Sequence, residues 1–362
     1  MAQTEMASGL EGVVVAQTRL SDVDGERGRL VIAGQDVEQL ALARTFEEVC
    51  ALLWTGEIPV DTLRMQTALG EARVRAWTLL SSSNDALALP DGMDALRAMV
   101  GRMDSRATRE EITGAVAVFA AAWSRRREGK QPVMPDASLG NAADYLRMVR
   151  GARAGDAEVS ALQSYLVTVT DHGMNASTFA ARVVASTGSD MVSSVTAAIG
   201  ALKGPLHGGA PGPVLDMLDA VGTPANAEKW LETELAAGRR IMGMGHRIYR
   251  VRDPRAAVLE KAIERLERAG VTTGRLALAR AVEKAAEQVL SARYPNRPLK
   301  ANVEFYTAVL LDTVRLPRTL FSPTFTVGRV VGWTAHVEEQ RATGRLIRPA
   351  STYVGPAPAL TA

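Results

Sequence analysis

The sequence predicts a mainly α-helical protein with one small β element near its N-terminus. Three observations carry that reading. Apolar residues recur at helical spacing through most of the 362 residues, and helix-start and helix-stop residues bracket those segments. Strand-like stretches occur only before residue 34. A chain of this length can bury a large core and divide into two lobes.

The elements follow in order. Residues 12–33 contain VVVAQTRL and RLVIAG around the turn DVDGERG, and they predict a hairpin. Thr45 followed by Glu48 has the spacing of a capping box, in which each side chain pairs an N–H that the helix leaves open. That box starts the helix FEEVCALLW, and Gly56 ends it. Cys50 falls on the apolar pattern of Phe46, Val49, Leu53 and Trp54, so it is read as core. Further helices are expected at about 107–128, 159–170, 175–187 and 190–203, the last capped by Ser189. Arg125-Arg126-Arg127 is read as a solvated helix end. Asp253-Pro254 opens another helix, because the fixed φ of proline suits the first helical position, and Gly270 lies past its end. Helices at about 275–293, 303–315 and 323–342 complete the pattern. No repeat, low-complexity segment or long linker interrupts it.

Composition narrows the class. With 42 basic and 40 acidic residues the formal charge is +2, so no global field favours nucleic acid or a membrane surface. The single cysteine excludes an intramolecular disulfide and fits a reducing cytoplasm. The start MAQTEMASGLEG lacks the charged and apolar regions of a secretion signal, and AVAVFAAAW (115–123) is too short to span a bilayer. The expectation is a soluble, cytoplasmic protein.

Glycine and proline concentrate in GPLHGGAPGPV (204–214) and GMGHRIYRVRDPR (243–255). Such loops let backbone approach a ligand or act as hinges, so the segment from there to about residue 310 could move against the rest. Three of the four histidines sit in loops beside glycine: His172, His207 and His246. Any one of them could be structural, but glycine-flanked loop histidines are poor core fillers and together suggest proton chemistry. The fourth, His336, shares a helix face with Phe325, Arg329 and Trp333 and is read as packed. Arg247, Arg250, Arg252 and Arg255 crowd one stretch, and Arg329, Arg345 and Arg348 follow. Converging arginine forks suit a di- or tricarboxylate or a phosphate, whereas isolated surface pairs contribute little. Arg329 favours the first reading, because it stands inside the apolar stretch TFTVGRVVGWTAHV.

Glu304, in ANVEFYTA, completes the set. By itself it could be a first-turn acid, favoured by a few tenths of a kcal/mol through the helix dipole. With three histidines, two chemistries fit. One is a metal site of imidazoles and a carboxylate, although 35 and 39 residues separate the successive histidines and no close ligand pair exists. The other needs no metal: a carboxylate takes a proton alpha to a carbonyl while imidazoles stabilise the enolate.

The ordered motifs GPLHGGA, GMGHRIYRVRDPRA, ANVEFYTAVLLDTVRLP and FTVGRVVGWTAHVEEQ strongly resemble the citrate synthase family. GLEGVVVAQTRLSDVDGERGRL, TDHGMNASTFAARVVAST and the tail RLIRPASTYVGP extend the resemblance over nearly the whole chain. It implies a citrate synthase-like two-domain helical fold, with residues 1–206 plus 310–362 as a large dimerising domain that carries the oxaloacetate site. Residues 207–309 would form a small domain on the CoA side that bears the catalytic His and Glu. It further implies a homodimer, with acetyl-CoA as co-substrate, no permanently bound cofactor and no metal. The reaction implied is condensation of acetyl-CoA with oxaloacetate, then hydrolysis to citrate and CoA. Carried over by position, His207 would stabilise the enol, Glu304 would remove the methyl proton and His246 would donate to the oxaloacetate ketone. His172, Arg255 and Arg329 would hold carboxylates, and Arg348 would reach in from the other subunit. Arg250 would contact CoA phosphate, and Lys300 is added for its proximity and charge.

The chain departs from that pattern in places. Glu304 stands where the family has aspartate, one methylene longer. A shift of about 1 Å at a reacting group can cost about a hundredfold in rate unless the backbone compensates. LKAN precedes it where many relatives carry YPN, GGAPG replaces GGANE, and Val169 replaces a second histidine. Two other functions therefore stay open: a 2-methylcitrate synthase using propionyl-CoA, and a ligand-binding homologue with attenuated catalysis.

Overall fold

In the computed structural model, which describes residues 8–10, 12–207 and 211–356, the chain folds into helices packed on one another, with one small sheet against the helices Val37–Ala43 and Pro254–Arg268. The hairpin forms further along than the sequence suggests. Its strands are β1 (Ser21–Asp24) and β2 (Arg29–Ile32), paired antiparallel from Ser21 opposite Ile32 to Asp24 opposite Arg29, with β3 (Gln35–Asp36) added beyond β2. The valines of VVVAQTRL are not in a strand, and Val14 is 85% exposed. A β-branched run forms a strand only where a neighbour takes its N–H and C=O groups and one face is buried. β2 meets both conditions, since Leu30 and Ile32 enter the core.

The first helices are α1 (Val37–Ala43) and α2 (Phe46–Thr55). α2 has the expected cap: Thr45 Oγ1 accepts from Glu48 N at 3.1 Å and Glu48 Oε2 accepts from Thr45 N at 2.6 Å. Gly56 ends it at φ 86°. Cys50 is fully buried, and burial pushes its thiol well above the usual range. Then follow α3 (Leu63–Trp77), α4 (Asn84–Leu87), α5 (Gly92–Val100), α6 (Arg109–Arg127), α7 (Asn141–Arg150) and α8 (Asp156–Thr168). Arg126 and Arg127 are exposed at the end of α6, as a solvated helix end requires, but Arg125 is half-buried and donates to the carbonyls of Gln131 and Val149. α9 (Ala176–Ser186) and α10 (Met191–Leu202) come next. Asp190, not Ser189, caps α10, because its carboxylate accepts from Ser193 N at 2.7 Å. The remaining helices are α11 (Pro211–Val221), α12 (Ala227–Ala236), α13 (Pro254–Arg268), α14 (Arg275–Arg293), α15 (Val303–Thr313) and α16 (Phe321–Thr343). Among the described residues, no helix is long and apolar enough to cross a membrane.

Two packing events position the site. The first is the crossing of α16 over the end of α8. A Cβ on Gly328 would lie 2.5 Å from Val169 Cγ2, and one on Gly332 would overlap Thr170 O and sit 2.9 Å from Asp171 Oδ1. Backbone contact at these glycines brings Arg329 against Val169, whose carbonyl accepts from Arg329 Nε at 2.6 Å. Gly332→Ala is expected to destabilise the protein by about 1–3 kcal/mol, because no flexible side chain can yield there. Thermal unfolding checks this, and an unchanged midpoint would refute the crossing.

The second event joins two loops that are far apart in sequence. α13 packs against α8 and α15, and α11 and α14 pack on α15. Between them the 243–253 loop runs along residues 300–302: Gly245 N donates to Lys300 O at 2.7 Å and Asn302 N to Gly243 O at 2.9 Å. Asp253 N completes the ladder to Ala301 O at 3.2 Å. The β1–β2 turn braces the other side of the loop, with Arg250 N donating to Gly25 O at 3.0 Å.

Candidate active site

The 243–253 loop needs its glycines. Gly243 and Gly245 take φ of 74° and 86°, and a Cβ at either would fall within 3 Å of Phe305 or Leu299. This tight path delivers His246 with a defined tautomer. Its Nδ1 accepts from Ile248 N at 3.0 Å and Tyr249 N at 3.1 Å, so the proton of the neutral ring sits on Nε2. Burial, helped by the charge of Arg255, brings the ring down to about 4 and keeps it neutral at physiological pH. An Arg255 terminal nitrogen lies 3.5 Å from Nε2, but the two shorter backbone bonds at Nδ1 outweigh it, so His246 offers its N–H at Nε2.

His207 is oriented the opposite way. Ser177 N donates to His207 Nε2 at 3.3 Å, and Ser177 Oγ lies 2.8 Å from the same atom. A backbone N–H can only donate, so Nε2 presents its lone pair and Nδ1 carries the proton. Ser177 is itself fixed, because Trp333 Nε1 donates to its Oγ at 3.1 Å. Burial, with the charge of Arg329, lowers His207 to about 4 as well. Its neighbours Gly208, Gly209 and Ala210 in the GGAPG stretch lie outside the described residues.

His172 is buried and faces the His246 loop. Its Nε2 is 3.1 Å from Tyr249 OH, and its ring centre is 5.6 Å from that of His246 in an edge-on arrangement. Burial, then Arg255 and Arg329, hold it well below the usual histidine range. Three neutral imidazoles thus share a cationic neighbourhood, which is what a ligand carrying several carboxylates would neutralise.

Glu304 sits in the first turn of α15. Asn302 caps that helix by accepting from Glu304 N at 3.0 Å and ties it to the histidine loop by donating to Gly245 O at 2.9 Å. Glu304 Oε2 is buried and makes no hydrogen bond among the described residues. Burial pushes the carboxyl up to about 7, against the opposing pull of Arg255. A solvated first-turn acid would shift the other way. Glu304 is a desolvated carboxylate poised near neutrality, and such groups cluster at functional sites.

The arginines divide. Arg255 is buried, and its Nε and terminal nitrogen grip Asp253 at 3.0 and 2.8 Å. Arg329 is also buried, its guanidinium 4.8 Å above the Phe325 ring, and burial lowers it to about 10, so it stays charged. These two act electrostatically on His172 and Glu304 and mark the centre of the cluster. Arg250 and Lys300 lie on the joined loops, but their side chains face Glu26 at 4.0 Å and Glu287 at 3.0 Å. Arg348 lies exposed on the extended tail and is not part of the cluster within this chain.

Four site residues escape the sequence reading: Ser177, Tyr249, Asp253 as a side-chain ligand, and Asn302. Asp253 is visible as a helix cap, yet its carboxylate also holds Arg255 and accepts from Val303 N at 3.3 Å. Among the described residues, no group of three His, Cys, Asp or Glu side chains could hold a metal ion.

The chain is similar to known proteins over most of its length. Residues 9–350 match the family model described as citrate synthase, C-terminal domain. A citrate synthase of Haloferax volcanii is 36% identical, covering 97% of this chain and 96% of that protein. A 2-methylcitrate synthase of Mycobacterium tuberculosis is 38% identical over 97% of this chain and 91% of its own length. Among solved structures, the citrate synthase of Thermoplasma acidophilum in ternary complex with carboxymethyl coenzyme A and oxaloacetate superposes with a TM-score of 0.88. It is 29% identical, and the match covers 99% of this chain and 98% of that one.

Proposed function

This chain belongs to the citrate synthase family, and we propose that Glu304, His207 and His246 carry out its chemistry. The reaction is the condensation of acetyl-CoA with oxaloacetate and hydrolysis of citryl-CoA to citrate and CoA, with acetyl-CoA as co-substrate rather than a resident cofactor. The enzyme is a transferase that binds oxaloacetate and an acyl-CoA.

A thioester methyl is a weak carbon acid, so the base needs a partner that strengthens its contact as the carbonyl oxygen gains charge. Glu304 removes the methyl proton while His207 Nδ1–H donates to the thioester oxygen. The enolate carbon then attacks the oxaloacetate ketone, and His246 Nε2–H donates to the oxygen that becomes alkoxide. Water adds to the citryl thioester, and CoA leaves as the thiol. His172, Arg255 and Arg329 hold the carboxylates. Arg250, and Lys300 after release from Glu287, receive the CoA phosphates. Residues 207–309 act as a small domain that closes over residues 1–206 and 310–362, with hinges at the glycine-rich loops and water excluded during enolate formation. The protein acts in the cytoplasm as a homodimer in which Arg348 serves the partner's site.

The observation that carries this reading is Glu304, a carboxyl raised to about 7 whose Oε2 has no hydrogen-bond partner among the described residues, on a helix tied to the His246 loop. The test is thiol release from acetyl-CoA plus oxaloacetate. Turnover is expected, and its absence despite oxaloacetate binding would favour a ligand-binding homologue. Running propionyl-CoA in parallel addresses the 2-methylcitrate relative. One methylene is worth about 10–200-fold in kcat/KM, and acetyl-CoA is expected to be preferred.

A further inference from the structure

We propose that His336 is a positioning residue for the oxaloacetate side of the site, acting through Asp171 on His172 and Arg329. The inference rests on the carboxylate-holding role proposed above for those two residues.

His336 lies on α16 and is fully buried. Arg182 donates to its Nδ1 at 2.9 Å, so Nε2 carries the hydrogen. That N–H faces the Asp171 carboxylate, with Nε2 3.2 and 3.3 Å from its two oxygens. Asp171 is equally buried and also accepts from Ser21 Oγ at 2.5 Å. Ser21 Oγ in turn accepts from Gly173 N at 2.9 Å. The residues before and after His172 are therefore both anchored, one by α16 and the other by β1. Among the described residues His172 has only Tyr249 OH as a side-chain hydrogen-bond partner, so the direction of its ring follows from this anchored backbone.

A second arm reaches Arg329. Its guanidinium is buried beside the like charge of Arg255, and Asp171 is the leading charge that opposes the cost of keeping it ionised. Burial would raise Asp171, but His336, Ser21 and Arg329 together hold its carboxyl below the usual range. One carboxylate thus orients the histidine and balances the arginine. His336 cannot turn away from it, because Arg182 is held from behind: Nε donates to Gln340 Oε1 at 2.9 Å and a terminal nitrogen to Glu339 Oε2 at 2.6 Å. A histidine that only filled space would need neither hydrogen bond.

The distinguishing property is selectivity between substrates. In the full-length enzyme, His336→Leu is expected to raise the Kd for oxaloacetate, measured by calorimetry, and the KM for oxaloacetate by about tenfold or more, as for a misplaced binding group. The KM for acetyl-CoA should stay within about twofold. His336→Gln, which keeps an N–H toward Asp171, should recover most of the oxaloacetate affinity. The proposal is overturned if His336→Leu binds oxaloacetate normally, if both KM values rise together with a falling Tm, or if glutamine is no better than leucine. Should the leucine variant fail to fold, Ser21→Ala probes the same chain from its other end. It must weaken oxaloacetate selectively, and unchanged affinity would refute the proposal. A wild-type enzyme that binds no oxaloacetate would instead remove the carboxylate role on which the inference rests.

Discussion

Replacing Glu304 by glutamine is expected to lower kcat by about 10²–10⁴-fold, the range for losing a general base. Oxaloacetate affinity should change little, because glutamine keeps the size of the side chain and Arg329 is untouched. The thiol-release assay reads the first quantity and calorimetry the second. A variant retaining more than about a tenth of wild-type kcat would remove Glu304 from the mechanism. Since burial raises the carboxyl from its ordinary 4.5 to about 7, kcat/KM of the wild type should fall on the acidic side of about pH 7, where the base is protonated. Stability carries the opposite sign. A carboxyl whose folded pKa is raised binds its proton more tightly when folded, so its stabilisation is present below about 4.5 and lost as pH rises through about 7. Above pH 7 the wild type bears the cost of a buried charge, of the order of 3 kcal/mol for a shift of this size. Glu304→Gln should therefore unfold at a higher temperature than wild type at pH 8, with the gap closing toward pH 5. An equal gap at both values would mean that Glu304 is not desolvated.

Replacing Arg329 by glutamine should weaken oxaloacetate by about 10²-fold or more, since truncating one member of a buried ion pair costs about 2–5 kcal/mol. Without ligand the same change should leave stability unaltered or raised. Arg329 is buried beside Arg255, its Nε bond goes to a neutral carbonyl, and Asp171 offsets only part of the cost of burying its charge, so the free enzyme carries an incompletely compensated charge there. Titration with oxaloacetate and thermal unfolding of the free protein separate the two effects. Loss of Tm in parallel with loss of affinity would make Arg329 a structural residue.

Much of this protein is legible in its sequence. Thr45 and Glu48, and Asp253-Pro254, mark helix starts through local chemistry that needs no tertiary partner. The catalytic candidates are legible for a related reason, since glycine-flanked histidines and an arginine inside an apolar helix conflict with local rules. Less was readable where the outcome depends on a distant neighbour. VVVAQTRL has strand composition but no strand beside it. α7 and α12 present shorter or more polar patterns that become helical when α6 and α14 cover their apolar faces.

By itself, then, the sequence determined the helical class, the approximate boundaries of α2, α6, α8 to α10 and α13 to α16, and the chemical identity of His172, His207, His246, Glu304 and Arg329. Only the tertiary structure decided what those groups are. The ladder between residues 243–245 and 300–302 and the glycine crossing of α16 over α8 bring them together. Burial there neutralises the imidazoles and lifts Glu304 to about 7. Backbone N–H groups from Ser177, Ile248 and Tyr249 choose which ring nitrogen donates. Desolvation and hydrogen-bond direction depend on surroundings in three dimensions, and residue order alone does not encode them locally.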